Sequence, residues 1–293
     1  MVIWRFDAIG TRWEIESASP LPAASRAAVD DVIAGFDRSW SRFRPDSDVS
    51  RLAAHGGAME AADAGAMFDA YRELSAATEG AVNPLVGESL AALGYDAHYS
   101  LAPGEPVAAP TAWERELTWT TASAALRSPR TIDVGALGKG RLVDVVLAAL
   151  ADVPGDVVVD AGGDLIARGA AVRVGLEHPF DASRAIGVAT LRDRALCASA
   201  TNRRAWGEGL HHVIDARTGR PVVSWAATWA IAADAMTADA VATALFFDGG
   251  PALAARWGVE WVRMSSDGRV QRSPAADVEI FTPRRNPEGR VAS

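Results

Sequence analysis

The sequence predicts an α+β fold with two interlocked lobes, mainly antiparallel sheet and flanking helices. Three observations carry that prediction. Helical patterns occupy a few separate stretches, at 22–44, 60–79, about 139–151 and about 237–257. β-rich segments crowd the second half of the chain, where only the last two of those helices interrupt them. The length of 293 residues, 49% hydrophobic and 23% charged, suffices for one large domain or two interlocked lobes.

Residues 2–17 alternate like a strand and break at Gly10, which reads as a strand or hairpin. Residues 22–44 place Ala27, Val32, Ile33, Phe36 and Trp40 at helical spacing. "RPDSDVSRL" reads as a turn into a short helix capped near Ser47 or Asp48, and 60–79 as an amphipathic helix ended by Gly80. The stretch 101–111 carries Pro and Gly and reads as a surface loop where the lobes meet. "LTWTT", "VVVDAGG", "AVRVGL", "AIGVATL", "ALCASA", "HHVID" and "WAATWAIAA" then read as strands. Residues 1–283 form one domain on this reading, and the polar tail 284–293 is expected to be disordered.

Bulk properties exclude several function classes. A net charge of −8 and a pI of about 5.2 argue against nucleic acid as a partner. The single cysteine, Cys197, excludes an internal disulfide and a cysteine-rich zinc site. No window reaches the ~18 apolar residues of a membrane span. The N-terminus shows no basic, apolar leader pattern, so no membrane insertion and a cytoplasmic location are expected. H-E-x-x-H and G-x-S-x-G are both missing, which argues against zinc peptidases and the common serine hydrolases.

Four stretches carry candidate chemistry. "AMTADAVATAL" places Asp239 and Thr243 one helical turn apart, where two hard oxygens face one cation. The competing reading makes Thr237 an N-cap and Asp239 a first-turn anion. "IDVGALGKGRLVD" is a Gly-rich turn into a helix, with Lys139 inside the turn. Its spacing is that of neither a P-loop nor a dinucleotide fingerprint, but such turns admit phosphates. "VVVDAGGDLIARG" runs a strand into Gly162 and Gly163, for a tight hairpin or a close ligand, and Asp160 and Asp164 serve equally well as turn caps. In "LHHVIDARTGRP", strand alternation lets only one of His211 and His212 face a given site. Arg203 and Arg204, just upstream, suit either a phosphate or solvent.

In this order, the stretches resemble one family: the FAD:protein FMN transferases, the ApbE-like proteins earlier described as thiamine-biosynthesis lipoproteins. The likeness runs from "AIGTRWEIE" to "FFDG". It includes "SRFRPDSDVSRL", "GAVNPLVG" against the family's G-A-F-D-P-T-V-G, "DVGALGKGRLVD", "DAGGDLIARG", "HHVIDARTGRP" and "AMTADAVATAL". The resemblance implies FAD in a cleft between the lobes with magnesium, one or two ions, on the pyrophosphate. It implies metal ligands at the Ala136 carbonyl, the Asp239 carboxylate and the Thr243 hydroxyl, with the Ala242 carbonyl as a further candidate. Around FAD it implies Ile9, Phe43, Ala81, Val82, Asn83, Asp133, Lys139 and Ile214, and it makes His212 the candidate for proton transfer.

The implied activity is magnesium-dependent transfer of FMN from FAD to a Thr or Ser hydroxyl on a loop of an acceptor flavoprotein, releasing AMP. An FAD pyrophosphatase or a non-catalytic FAD binder are the alternatives. The chain departs from the family pattern at Asn83 and Leu85, which replace Asp and Thr, and at Gly138, Ala200 and Ala216. No departure removes an implied metal ligand.

Overall fold

The computed structural model describes residues 1–281. Eight strands form one sheet in the order Val2–Ala8, Thr11–Ser17, Val157–Asp160, Asp164–Arg168, Ala195–Ala200, Trp225–Ala232, Glu260–Ser265 and Val270–Arg272. Every neighbouring pair is antiparallel. On one face, Trp13, Ile15, Val157 and Val159 pack against Val29 and Ile33 of helix Ala23–Trp40, Leu142, Val143 and Val146 of helix Gly138–Ala149, and Val241 of helix Ala235–Ala244. On the other, Leu165, Leu196 and Trp229 meet a three-stranded sheet of Val172–His178, Asp181–Leu191 and Val278–Ile280. A further core, around Phe68, Tyr71, Leu74 and Trp113, joins helix Ala64–Ala77 to a small sheet of Gly57–Glu60, Leu117–Trp119 and Ser123–Leu126. Ala240 and Ala244 reach into this core from helix Ala235–Ala244, so one helix serves both. The α+β class with antiparallel sheet is as the sequence predicts.

The expected elements need several corrections. Residues 57–60 form a strand, and the following helix begins at Ala64. The long helix expected at 237–257 is two, Ala235–Ala244 and Gly250–Arg256, with Gly249, Gly250 and Pro251 at the join. Helix Gly87–Ala92 and strand Glu260–Ser265 went unpredicted. "HHVID" divides into two short hairpin arms, Leu210–His211 and Ile214–Asp215. Residues 100–110 hold neither helix nor strand, and the Ala109 amide donates to the Ala216 carbonyl at 2.8 Å. The tail 284–293 lies outside the described residues. Among those residues no helix is long and apolar enough to cross a membrane.

Two helices hold each other at their open ends. The first-turn amide of Gly140 donates to Asp239 Oδ2 at 2.9 Å. In return, Asp144 accepts the first two amides of the other helix, from Ala235 at 2.7 Å and Met236 at 2.9 Å. Amides at a helix start have no partner within the helix, so a carboxylate there gains both hydrogen bonds and the dipole. Burial nevertheless pushes the Asp144 carboxyl up to about 6, against the pull of those amides. The N-cap of the second helix is Asp234, which accepts from the Thr237 amide at 2.8 Å, so Thr237 does not cap it. Asp239 therefore lies beyond the first turn of its own helix.

The helices cross at Gly140. A Cβ there would stand 2.7 Å from Asp239 Cβ and closer still to the Ala235 carbonyl oxygen. Gly140→Ala should cost about 1–3 kcal/mol through overpacking, instead of gaining helix propensity. Urea unfolding measures this, and an unchanged or raised midpoint would refute the close crossing.

Candidate active site

A cavity of about 1220 Å³ opens beside this crossing. Its walls include Ile9, Phe43, Ala81, Val82, Asn83, Asp133, Ala136, Lys139, His212, Ile214, Asp239 and Thr243. The fold thus gathers into one wall set residues that stand more than 230 positions apart at the extremes. Ala242 is the exception among the implied ligands. It does not line the cavity, and its carbonyl accepts from Thr228 Oγ1 at 2.6 Å, toward the sheet.

A hydroxyl and a carbonyl oxygen meet where the helix pair joins the turn 133–138, and a carboxylate on the same helix as the hydroxyl lines the same cavity. Thr243 Oγ1 donates to the Ala136 carbonyl at 3.1 Å. Asp239, one turn earlier on the same helix face, is only 4% exposed. Burial, and then the charge of Asp164, hold its carboxyl well above the usual carboxylate range, while Lys139 opposes them. Among the described residues there is no cluster of three or more His, Cys, Asp or Glu suited to a metal. A cation here would depend on one carboxylate with hydroxyl and carbonyl oxygen.

The turn that presents Ala136 is itself braced. Asp133 Oδ1 accepts the Gly135 amide at 2.7 Å, and Tyr71 donates to the Asp133 carbonyl at 3.0 Å. Arg42 pairs through Nε with Asp133 Oδ2 and donates from Nη1 to the Tyr95 carbonyl at 2.8 Å. Its guanidinium lies 4.2 Å from the Phe43 ring centroid, within cation–π range. Asn83 donates to the Pro110 carbonyl at 2.9 Å and accepts the Leu85 amide at 2.9 Å. An amide does both; a carboxylate would meet that carbonyl without a proton to give.

Phe43 and Ile214 belong to an aromatic wall. Phe43 stacks on Tyr99 at 5.0 Å and meets Tyr95 edge-on at 5.3 Å, and Tyr95 stacks on Trp206 at 5.4 Å. Ile214 packs in the same cluster. At the opposite hairpin, Ile9 has φ of 46° ahead of Gly10 at 73°. That backbone is unusual for a β-branched residue and costs about 1–3 kcal/mol. It turns Ile9 into the cavity wall.

His211 and His212 face differently, although His212 lies in the bend after strand Leu210–His211 and not in a strand. His211 Nε2 bonds the Val222 carbonyl at 2.9 Å and stays outside the cavity lining. His212 lines the cavity, with Nδ1 sealed off and unpartnered. Burial, then the Arg204 charge, push its imidazole down to about 3, so it is neutral throughout the physiological range. Arg203 pairs with Glu177 at 2.9 Å, while both it and Arg204 reach the cavity wall. Cys197 is buried, with Sγ 3.3 Å from the Ala235 carbonyl. Sequence reasoning missed Arg42, Tyr71, Tyr95, Tyr99 and Trp206. Arg42 carried a faint signal as a cation between two aromatics in "WSRF", and Tyr95 one as the aromatic that closes "GAVNPLVGESLAALGYD"; the others carried none.

With this geometry, similarity to known proteins is extensive. The ApbE family model matches residues 9–262. A curated FAD:protein FMN transferase of Rhodobacter capsulatus is 29% identical over 300 residues, covering 92% of this chain and 56% of that protein. The chain therefore spans just over half the length of that relative. Among solved structures, the ApbE protein of Thermotoga maritima superposes with a TM-score of 0.79 at 21% identity, over 93% of this chain and 97% of that one. The flavin transferase ApbE of Vibrio cholerae gives 0.75 at 21% identity, over 94% and 97%. These likenesses show the fold over 93–94% of the chain, and the family match spans both the Gly-Lys turn and the Asp239 helix: this chain belongs to the ApbE family.

Proposed function

We infer that this chain transfers the FMN portion of FAD to a Ser or Thr hydroxyl of an acceptor protein, with AMP as leaving group. The observation that carries the reading is the convergence of the Lys139 turn, the Asp239–Thr243–Ala136 oxygens and His212 on one cavity roomy enough for a dinucleotide. The name of the Rhodobacter capsulatus relative supports the same reading.

The donor set fits a magnesium ion. All three oxygens are hard, only one is anionic, and such an ion takes its remaining ligands from water and substrate phosphates. When bound, magnesium would neutralise phosphate charge and act as a Lewis acid. The chain's own residues do the rest. Lys139 supplies the positive charge that faces the pyrophosphate. The aromatic wall of Phe43, Tyr95 and Trp206 gives the cavity an apolar side against which a planar ring system can pack. The acceptor hydroxyl attacks the phosphorus on the FMN side and gives its proton to His212. A phosphoester bond forms, and the bond to the AMP phosphate breaks. A hydroxyl entering a cleft already filled by FAD must come on a narrow, flexible loop of small residues.

The direct test incubates the protein with FAD, Mg²⁺ and a candidate acceptor, then weighs the intact acceptor and quantifies AMP. FMN-labelled acceptor with equal AMP supports transfer. Free FMN with AMP replaces it by FAD hydrolysis, and unchanged FAD by binding without turnover.

Asp239→Asn should lower transfer by about 10²-fold or more, since the only anionic oxygen of the set is lost. Its fold should survive, because the Asn carbonyl can still accept the Gly140 amide; thermal melting and turnover together check this. Unfolding would instead make Asp239 a structural residue.

His212→Ala should slow transfer by about 10²–10⁴-fold with little change in FAD affinity. The required form of His212 is the neutral base. Because its pKa is pushed down to about 3, protonation begins only far below the ordinary histidine range. A profile of kcat/KM from pH 8 toward pH 5 should therefore owe no inflection to His212; a fall near pH 6 belongs to Asp144, whose carboxyl stands at about 6 and whose carboxylate holds the helix crossing. Full activity in the variant would remove His212 from the role of base.

A further inference from the structure

The turn "DAGGD" puts its two carboxylates to different uses. Asp160 Oδ1 accepts the amides of Gly162 at 2.8 Å and Gly163 at 3.1 Å, which closes the turn on itself. Gly163 has φ of 110°, a backbone that side-chain-bearing residues rarely adopt, and the chain then enters strand Asp164–Arg168. Asp164, first in that strand, is 1% exposed. Among the described residues no amide or hydroxyl bonds either of its oxygens. Its compensation is a single cation, the Lys139 ammonium at 3.0 Å.

Lys139 is the reverse case. Its side chain is 23% exposed and lines the cavity, and its next nearest polar neighbour is the Ala161 carbonyl at 3.5 Å. An ammonium on a four-carbon stem sweeps a wide volume unless something holds it. Behind it stands a sealed carboxylate with no other partner; before it stands the cavity. The next residue, Gly140, is the one whose amide is fixed on Asp239.

We propose that Asp164 positions Lys139, fixing its ammonium at the cavity wall so that the charge faces the pyrophosphate of FAD before FAD arrives. Asp164 touches no substrate and acts only through the lysine. A charge held in place loses little freedom when the ligand binds, so the gain appears as affinity for FAD. This assignment rests on the FAD reading above and adds a residue to it.

The experiment measures FAD affinity by flavin fluorescence, and thermal melting, for wild type, Asp164→Asn, Lys139→Met and the double variant. Each single change should weaken FAD binding about tenfold, and the double variant should bind within about twofold of Lys139→Met, since the two residues act as one unit. Lys139→Met strands a buried carboxylate and should melt lower. The double variant should recover that melting temperature while FAD affinity stays low, which separates ligand binding from fold. Asp164→Asn binding FAD like wild type, or weakening it further in the Lys139→Met background, would overturn the assignment. If Asp164→Asn does not fold, the comparison of Lys139→Met with the double variant decides in the same way. A wild type that binds no FAD would contradict the functional reading itself.

Discussion

The Gly140 amide donates to Asp239, and Asp144 receives the amides of Ala235 and Met236, so each of two helices closes the open end of the other. This exchange sets the distance and rotation of the pair, because Gly140 leaves no room for a side chain between them. The turn carrying Ala136 precedes one helix, and Lys139 stands in the first turn of that helix. Thr243 follows Asp239 by one turn on the other. Once the crossing is fixed, the Thr243 hydroxyl falls on the Ala136 carbonyl and the buried carboxylate stands beside it. The Asp239 and Thr243 oxygens are thus placed by helix packing, and the Ala136 carbonyl by the braced turn that leads into the other helix.

A second brace runs between distant parts of the chain. Arg42 ties the end of the first long helix to Asp133, and Asp133 ties the Gly135 amide that begins the presenting turn. The same arginine packs over Phe43, so the aromatic wall and the oxygen-bearing turn share one anchor. Charge is arranged with similar economy. The carboxylates buried at Asp164 and Asp239 favour a cation at the cavity wall, and Asp164 holds that of Lys139. His212, pushed toward its neutral form by burial, adds no positive charge of its own and keeps a lone pair for a proton.

Much of this was legible in the sequence, for identifiable reasons. The hairpin at Gly10, helix Ala23–Trp40 and the Ser47 cap carry local signals, namely period, caps and turn residues, that tertiary contacts do not override. The break at Gly249 was lost because a small apolar run reads as helix on either side of it. Choosing between Asp239 as a helix-start anion and as a site oxygen needed the true N-cap, Asp234, three residues before Thr237. Cross-chain partners carry no period. Nothing in "DAGGD" tells Asp160, which closes its own turn, from Asp164, which finds Lys139. The Asn83 contact with Pro110 and the Ala242 contact with Thr228 are likewise products of packing.

The central claim is that the helix crossing delivers its oxygens and Lys139 to one pyrophosphate. A crystal structure of the protein soaked with FAD and Mn²⁺, with the metal located by anomalous scattering, tests this most directly. The account predicts the ion against Asp239, Thr243 and the Ala136 carbonyl, with the pyrophosphate on it and the Lys139 ammonium alongside. An ion elsewhere, or a pyrophosphate remote from Lys139, would contradict it.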